Sequence, residues 1–170
     1  MGQAYLLTGM PGTGKTSVIR QALAQCNCNA GGFYTMEVRN VGVREGFQIV
    51  TIDGKQEMLA HIAIDSPFRV GKYGVDVNVL DTTAVESITS AIEKNDLIVI
   101  DEIGKMELVS SKFIQAVADA LNSSKKVLGT ITLKPHPLAD SIKQNRAIHV
   151  AELTRYNQRQ VLAEILSWLK

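Results

Sequence analysis

The sequence predicts an α/β protein of one domain, in which helices cover both faces of a doubly wound, mostly parallel sheet. Three observations support this prediction. The 170 residues match one domain of ordinary size. The composition, 45% hydrophobic and 21% charged, is typical of a globular chain. Short apolar runs alternate with segments of helical periodicity, as in a sheet covered on both sides. We therefore assign residues 1–170 to a single domain.

The first half of the chain contains strand signals, one helix and a hairpin. A strand over Ala4 to Thr8 stops at Gly9, and apolar residues recur at helical spacing after Lys15. Residues Gly32 to Val38 are rich in the aromatic and β-branched types that favour a second strand. The pair Asp53-Gly54 separates two further β-rich runs, and Asp-Gly favours a tight hairpin turn. We place this antiparallel hairpin at one edge of the sheet.

In the second half, helices and strands alternate again. Thr83 and Glu86 have the spacing of a capping box, so we predict a helix that starts near Ala84. The continuous apolar run from Leu97 predicts a strand buried on both faces, and Ser110 can cap the helix that follows it. The remaining order is strand, helix, strand and helix, over Lys126 to Thr132, Ala139 to Gln144, Ala147 to Glu152 and Gln158 to Leu169.

A phosphate-binding pattern lies between the first strand and the first helix. It fits G-x-x-x-x-G-K-[ST], the P-loop or Walker A pattern, through Gly9, Met10, Pro11, Gly12, Thr13, Gly14, Lys15 and Thr16. Its glycines let backbone N–H groups point into a phosphate-sized concavity at a helix N-terminus. Lys15 would bring a positive charge to the β- and γ-phosphates, and the Thr16 hydroxyl would be a ligand of Mg²⁺.

Two adjacent acids follow the buried strand. In this arrangement Asp101 lies beside the metal, and Glu102 orients and deprotonates the attacking water. We therefore predict Thr16 and Asp101 as the magnesium site and Glu102 and Lys15 as catalytic residues. The second nucleotide-binding segment is the strand with its end, namely Leu97, Ile98, Val99, Ile100, Asp101, Glu102, Ile103 and Gly104.

Charge and composition give no support for nucleic acid, a membrane or zinc as a partner. The formal net charge of +1 gives no support for nucleic acid as a partner, although it leaves one possible. The apolar runs fall short of the ~20 residues that span a bilayer, so we expect no membrane association. Cys26 and Cys28 are too few and too close for a disulfide framework, and their spacing does not suit zinc. We expect a cytoplasmic monomer.

Several longer segments resemble one family. The segments LLTGMPGTGKTSVI, GGFYTMEVRNVGVREGFQIVTIDG, FRVGKYGV and LIVIDEIGKMEL are similar to the small nucleoside-triphosphatase family first described from thermophiles, which has a human cancer-related member. The resemblance, with the further segment LGTI, runs over almost the whole chain. It implies a P-loop NTPase fold and Mg²⁺-dependent hydrolysis of several nucleoside triphosphates to diphosphate and phosphate. Two positions depart from the family pattern: Met36 replaces a usual Glu, and Tyr156-Asn157-Gln158-Arg159 replaces Glu-Asn-Arg.

A cation that neutralises the γ-phosphate can raise the rate of hydrolysis by about 10³–10⁵-fold. Candidates lie in the Gly-rich segments before and after the predicted hairpin. The resemblance of the segment around Arg69 to the family favours Arg69 as a catalytic residue. The alternates are Arg39, Arg44 and Lys72, with Lys105, near the paired acids, and Arg155, before the last helix, as further candidates. Glu107, just past the paired acids, is a further candidate site residue but not a cation.

The same motifs allow two alternative functions. A P-loop kinase would transfer the γ-phosphate to a nucleoside or polynucleotide hydroxyl, since the same carboxylate can activate a hydroxyl in place of water. A nucleotide-switched binding module would hydrolyse slowly, but the Asn-Lys-x-Asp tetrad that reads guanine is missing from the sequence. The main prediction is an enzyme whose partners are nucleoside triphosphates and whose cofactor is Mg²⁺.

Overall fold

A sheet with a parallel half and an antiparallel half organises the protein, as described over residues 3–170 by a computed structural model. Within those residues the sheet has nine strands, in the order β5-β6-β4-β3-β2-β7-β8-β1-β9. The strands are β1 (Ala4–Thr8), β2 (Ala30–Asn40), β3 (Val43–Thr51), β4 (Gln56–His61), β5 (Arg69–Val70), β6 (Tyr73–Val75), β7 (Leu97–Ile103), β8 (Lys126–Ile131) and β9 (Ile148–Glu152). From β2 to β9 all pairings are parallel, and from β2 to β5 all are antiparallel.

Helices cover the parallel half on both faces. The α-helices of the described residues are α1 (Lys15–Gln25), α2 (Val77–Val79), α3 (Val85–Lys94), α4 (Ser111–Asn122), α5 (Pro137–Gln144) and α6 (Gln158–Leu169), of which the short α2 lies beside β4 instead. Alternate strand residues point to opposite faces. Thus Leu6 packs in the core that includes α3 and α4, whereas Tyr5 and Leu7 pack in the core that includes α1 and α6. The predicted doubly wound α/β class is confirmed.

The antiparallel half is larger than the single predicted hairpin. The turn at Asp53-Gly54 joins β3 to β4 as predicted, with Gly54 at φ 100°. The segment that contains Arg69 also forms a short hairpin, β5 and β6, at the outer edge. Two- and three-residue strands carry too little periodic signal to be recognised from sequence alone.

The predicted start of the helix near Ala84, which corresponds to α3, needs a correction. The helical segment begins earlier, at Val77, where the Asp76 carboxylate accepts hydrogen bonds from the backbone N–H groups of Asn78 and Val79. A π-helical segment, Leu80–Ala84, then leads directly into α3. Thr83 is buried within that segment and donates its hydroxyl to Glu57 on β4, so it is not a helix cap. The Thr83 hydroxyl therefore binds Glu57, which is distant in sequence, and does not cap the helix.

Cys26 and Cys28 lie just after α1 and are bonded to each other. The sequence predicted no disulfide framework and did not anticipate this single short-range pair. Among residues 3–170, no helix has the length and apolar character needed to cross a membrane. The cytoplasmic location stays a prediction.

Candidate active site

The P-loop connects the carboxyl end of β1 to the start of α1. Gly12 and Gly14 have φ angles of 78° and 89°, in the left-handed region that glycine adopts without strain. The Thr13 hydroxyl donates to the Met10 carbonyl at 2.9 Å, which closes the loop. Gly14 caps α1 without any side-chain hydrogen bond, so no side chain competes for the first helical N–H groups. Such a helix N-terminus attracts an anion.

The Lys15 ammonium lies over the mouth of this loop. Its Nζ donates to the carbonyl oxygens of Gly9 and Met10, both at 3.0 Å. Both acceptors are neutral, and within residues 3–170 no carboxylate forms an ion pair with this lysine. A phosphate oxygen would offer the ammonium a charged acceptor in exchange, and hydrogen bonds between charged partners are roughly twice as strong as neutral ones.

Asp101, on β7, connects its own strand to β8 and to the helix α1. Its Oδ2 accepts from the Thr16 hydroxyl on α1, and its Oδ1 accepts from the Thr130 hydroxyl on β8, both at 2.6 Å. Asp101 is buried, and burial raises the pKa of its carboxyl, while the two hydroxyls and the charge of Lys15 partly oppose the rise. The structure therefore brings the two predicted magnesium ligands into direct contact.

Glu102 follows Asp101 directly, and a cis peptide bond joins the two residues. The Glu102 side chain lies against Gly104. A Cβ at position 104 would collide with the Glu102 carboxylate, so glycine provides the space that the acid occupies. Burial raises the pKa of Glu102, the neighbouring charge of Asp101 raises it further, and Lys15 opposes both. A base whose pKa rises toward neutrality accepts a proton more readily at physiological pH.

Glu107 is the third acid of this region. It begins a short 3₁₀ helix, Glu107–Val109, and only 4% of its surface is exposed. Burial raises the pKa of Glu107 well above the usual range, and the charges of Glu102 and Asp101 add to the rise, while the backbone N–H groups of Glu107 and Gly104 partly oppose it. Lys105, between them, is exposed.

The apolar residues of the second predicted nucleotide-binding segment, on β7, lie in the core next to the site. Leu97, Ile98, Val99 and Ile100 are at most 2% exposed and pack in the two cores, as does Ile103. The structure places them among core side chains, where they hold Asp101 and Glu102 in position. Their predicted contact with the nucleotide is therefore unsupported by the fold.

The structure does not bring Arg69 to the P-loop. Arg69 lies on β5, with six strands between it and β1 in the described sheet. Its guanidinium donates to the carbonyl oxygens of Lys72, at 2.8 Å, and Ile64, at 3.3 Å. The sequence could not show this separation, because the position of β5 depends on long-range strand pairing.

Arg39 and Arg44 lie on the β2–β3 hairpin. Phe33 of β2 is level with Ile100 of β7, so the strand continues to Asn40 past the carboxyl end of the parallel half. Both guanidinium groups bind Glu37, at 2.6 Å and 3.1 Å, and Arg44 also donates to the Tyr73 hydroxyl. The β2–β3 hairpin therefore projects from the same end of the sheet as the P-loop, the end at which the parallel strands have their carboxyl termini.

Two residues at the site had no role in the sequence analysis. Thr130, fully buried, holds Asp101 from β8, and Gln158 at the start of α6 donates its side-chain N–H to the Thr13 carbonyl at 2.6 Å. Both lie beyond or near the carboxyl ends of parallel strands, where ligand sites of this fold class form. That rule is the signal that could have identified them.

A polar cavity of about 310 Å³ lies elsewhere, between α3 and the turn after β3. Thr51, Lys55, Ser87 and Asn95 are among its lining residues, and no P-loop residue lines it. It opens beside the amino ends of β2 and β7, whereas the P-loop lies at the carboxyl ends of the parallel strands. The two sites are therefore separate.

Known proteins share both the sequence and the fold. A family model described as NTPase matches residues 4–166. The nucleoside-triphosphatase THEP1 of Thermotoga sp. (strain RQ2) is 46% identical, over 97% of this chain and 94% of that protein. The cancer-related nucleoside-triphosphatase of Homo sapiens is 36% identical, over 98% and 96%. The crystal structure of THEP1 from the hyperthermophile Aquifex aeolicus superposes with a TM-score of 0.90 at 34% identity, covering 98% of this chain and 99% of that one.

Proposed function

Because the chain belongs to the NTPase family, we propose that it hydrolyses nucleoside triphosphates to a nucleoside diphosphate and inorganic phosphate, with Mg²⁺ at the P-loop. The observation that supports this most is the 2.6 Å hydrogen bond between Thr16 and Asp101. It places the Thr16 hydroxyl, in the first turn of α1, beside the buried carboxylate of Asp101 near the carboxyl end of β7. These are the two protein oxygens that a phosphate-bound magnesium ion needs.

The donor set fits Mg²⁺ and not a softer metal. Thr16 and Asp101 both offer hard oxygen ligands, and Mg²⁺ is usually held by one or two protein oxygens together with phosphate oxygens and water. When bound, the ion neutralises charge on the β- and γ-phosphates. Thr130 orients the Asp101 carboxylate, because its hydroxyl donates to the oxygen that Thr16 does not use.

The chain's own residues supply the remaining chemistry. The P-loop N–H groups and Lys15 bind the phosphates, and Glu102 accepts a proton from water as the water oxygen bonds to the γ-phosphorus. The bond between the γ-phosphorus and the β–γ bridging oxygen breaks, and the diphosphate leaves with that oxygen. Positioning and electrostatic stabilisation account for most of the acceleration in such reactions.

For the cation at the γ-phosphate, we propose the hairpin arginines Arg39 and Arg44 ahead of Arg69. The hairpin projects beyond the carboxyl end of the parallel strands, whereas Arg69 lies at the outer edge of the sheet. Glu37 binds both hairpin arginines in this conformation, and its single negative charge is shared between them. A triphosphate carries more negative charge than one carboxylate, and it would therefore compete for them.

We propose that one chain is sufficient for activity, because Lys15, Thr16, Asp101 and Glu102 all come from the same chain. The rate per chain should then be independent of protein concentration. A rate that rises with concentration would contradict the monomer.

The experiment that tests the function is product analysis with Mg²⁺ and each common nucleoside triphosphate. Equal amounts of diphosphate and free phosphate are expected, and a Lys15→Ala protein provides the inactive control. Adding nucleosides, RNA or DNA tests the kinase alternative. If phosphate appeared on an added hydroxyl in place of free phosphate, hydrolysis would not be the main activity.

A further inference from the structure

The start of α6 is fixed against the start of the P-loop. The Leu153 N–H donates to the Thr8 carbonyl at 2.8 Å, which continues the pairing of β9 with β1. Gly9 packs so closely on the Leu153 carbonyl that a Cβ at position 9 would collide with that oxygen. The chain that leads to α6 therefore has little freedom to move relative to the P-loop.

A side-chain bridge then fixes the loop between β9 and α6. Asn157 accepts a hydrogen bond from the backbone N–H of Thr154 at 2.8 Å and donates to the Glu152 carbonyl at 2.9 Å. These two bonds set the direction in which α6 leaves the sheet. They also set the position of Gln158, the first residue of that helix.

From this fixed position Gln158 reaches the P-loop. Its Nε2 donates to the Thr13 carbonyl at 2.6 Å, although the two residues are far apart in sequence. A Cβ at Gly14 would lie only 2.8 Å from the same nitrogen, so the amide passes directly over the loop. The hydrogen bond connects a helix on one flank of the site to the backbone that precedes Lys15.

We propose that Gln158 is a positioning residue that orients the peptide between Thr13 and Gly14 for phosphate binding. In a trans peptide the carbonyl and the next N–H point in opposite directions. When Gln158 holds the Thr13 carbonyl, the Gly14 N–H points away from α6 and into the phosphate concavity of the loop. The inference rests on the proposed function, because it assigns to Gln158 the preparation of that same phosphate site.

The chemistry predicts which nucleotides are affected. A loop N–H that meets the phosphate chain contributes to binding of diphosphate and triphosphate alike, so the loss of Gln158 should weaken both equally. An interaction that is equal in the ground state and the transition state changes KM and leaves kcat unchanged. Gln158 therefore differs from Glu102, whose loss should lower kcat.

The test compares Gln158→Met, which keeps the length but lacks an N–H donor, with Gln158→Arg, which restores a donor. Gln160→Met is the matched control, because Gln160 lies on the same helix and donates only to Glu164 among the bonds described. The readouts are the Kd of a diphosphate and of a non-hydrolysable triphosphate by calorimetry, with kcat, KM and the Tm of each variant.

We expect Gln158→Met to raise both Kd values and KM about 3–10-fold, the effect of one neutral hydrogen bond, with kcat within about twofold. Gln158→Glu should raise both Kd values more than about tenfold, since a carboxylate repels both the Thr13 carbonyl and the phosphates. Gln158→Arg restores a donor and adds a positive charge beside the phosphates, so it should bind at least as tightly as the unmodified protein. Gln160→Met should bind like the unmodified protein, and every Tm should stay within about 3 °C, the shift expected for about 1 kcal/mol.

Wild-type affinity in Gln158→Met would overturn the inference, as would a fall in kcat with both Kd values unchanged. If Gln158→Met folds poorly, Gln158→Leu takes its place, because it also lacks an N–H donor and adds no charge. Equal affinity in Gln158→Arg and Gln158→Glu would also overturn the inference. Lys15→Ala separates the inference from the proposed function. If Lys15→Ala bound nucleotides as tightly as wild type, the P-loop assignment itself would fail, and the inference with it.

Discussion

The parallel and antiparallel halves of the sheet differ in burial. In the parallel half, all residues of β1 are buried, and β7 has a single half-buried position. In the antiparallel half, β2 changes from buried residues near Phe33 to exposed residues near Asn40, and β3 is exposed at Val43. Helices cover both faces of the first half, whereas the outer part of the second is open to water.

This difference separates two kinds of candidate functional residue. Asp101 and Glu102 lie near the carboxyl end of β7, and Lys15 lies at the end of the P-loop that follows β1, so all three are held by strands that are packed on both faces. Arg39 and Arg44 extend from a half-exposed hairpin, and Glu37 forms ion pairs with both guanidinium groups. Exposed ion pairs contribute little stability and break easily. We infer that the parallel half holds the reacting groups and that the antiparallel half can adjust its cations to the nucleotide.

The largest expected effect is in the parallel half. Lys15→Ala removes the positive charge that binds the β- and γ-phosphates, and turnover should fall below detection. The measurement is phosphate release by the purified variant, with circular dichroism to show that it is folded. If a folded Lys15→Ala protein kept comparable turnover, the parallel half would not hold the reacting groups.

The next effect separates chemistry from binding within the same half. Glu102→Gln keeps the shape of the side chain but cannot accept a proton, so kcat should fall about 10²–10⁴-fold. Nucleotide affinity should change little. Calorimetry beside single-turnover rates checks this, and an affinity that collapsed together with the rate would make Glu102 a metal-binding or structural residue.

A smaller effect is expected in the antiparallel half. Arg39→Ala or Arg44→Ala should lower the single-turnover rate about tenfold, below the full range for an arginine finger because the two residues can partly replace each other. Arg69→Ala should change the rate less than about twofold, since its guanidinium is bound at the outer edge.

Arg146→Ala, on an exposed loop of the parallel half, is the matched control for the loss of one positive charge. A large loss in Arg69→Ala alone would show that the outer edge folds over the phosphates, contrary to the order of the strands. Normal rates in Arg39→Ala, Arg44→Ala and Arg69→Ala would confine the catalytic residues to the parallel half.

The smallest effect concerns stability. Because the folded state raises the pKa of Glu107, the protonated acid stabilises the fold below the ordinary carboxyl pKa, and this stability is lost as pH rises through the raised value. Glu107→Gln cannot ionise and should remove this loss. Its Tm at pH 8 should exceed that of wild type by about 2–4 °C, equivalent to about 1 kcal/mol, with no gain at pH 4.

Thermal unfolding at the two pH values measures this difference, with Glu93→Gln on the exposed face of α3 as the control. A loss of Tm at pH 8 would mean that the attraction between the ionised carboxylate and the backbone N–H groups of Glu107 and Gly104 stabilises the fold more than the burial of the charge costs.

Local patterns were sufficient where the cause of structure is local. The helix cap at Ser110, which accepts from the Phe113 N–H at 3.0 Å, and the Asp53-Gly54 turn are confirmed. The capping box at Thr83 is wrong, because Glu57 on β4 binds the same hydroxyl. A short-range pattern identifies a possible partner, but a residue distant in sequence can take its place.

The sequence alone determined the α/β class, the P-loop and the pair of acids, because periodicity and a short motif depend only on neighbouring residues. Tertiary structure decided which side chains meet. The contact of Thr130 with Asp101, the reach of Gln158 to Thr13 and the separation of Arg69 from the P-loop all depend on the order of strands in the sheet. That order follows from burying apolar faces between distant segments, and such pairing leaves no local sequence signal.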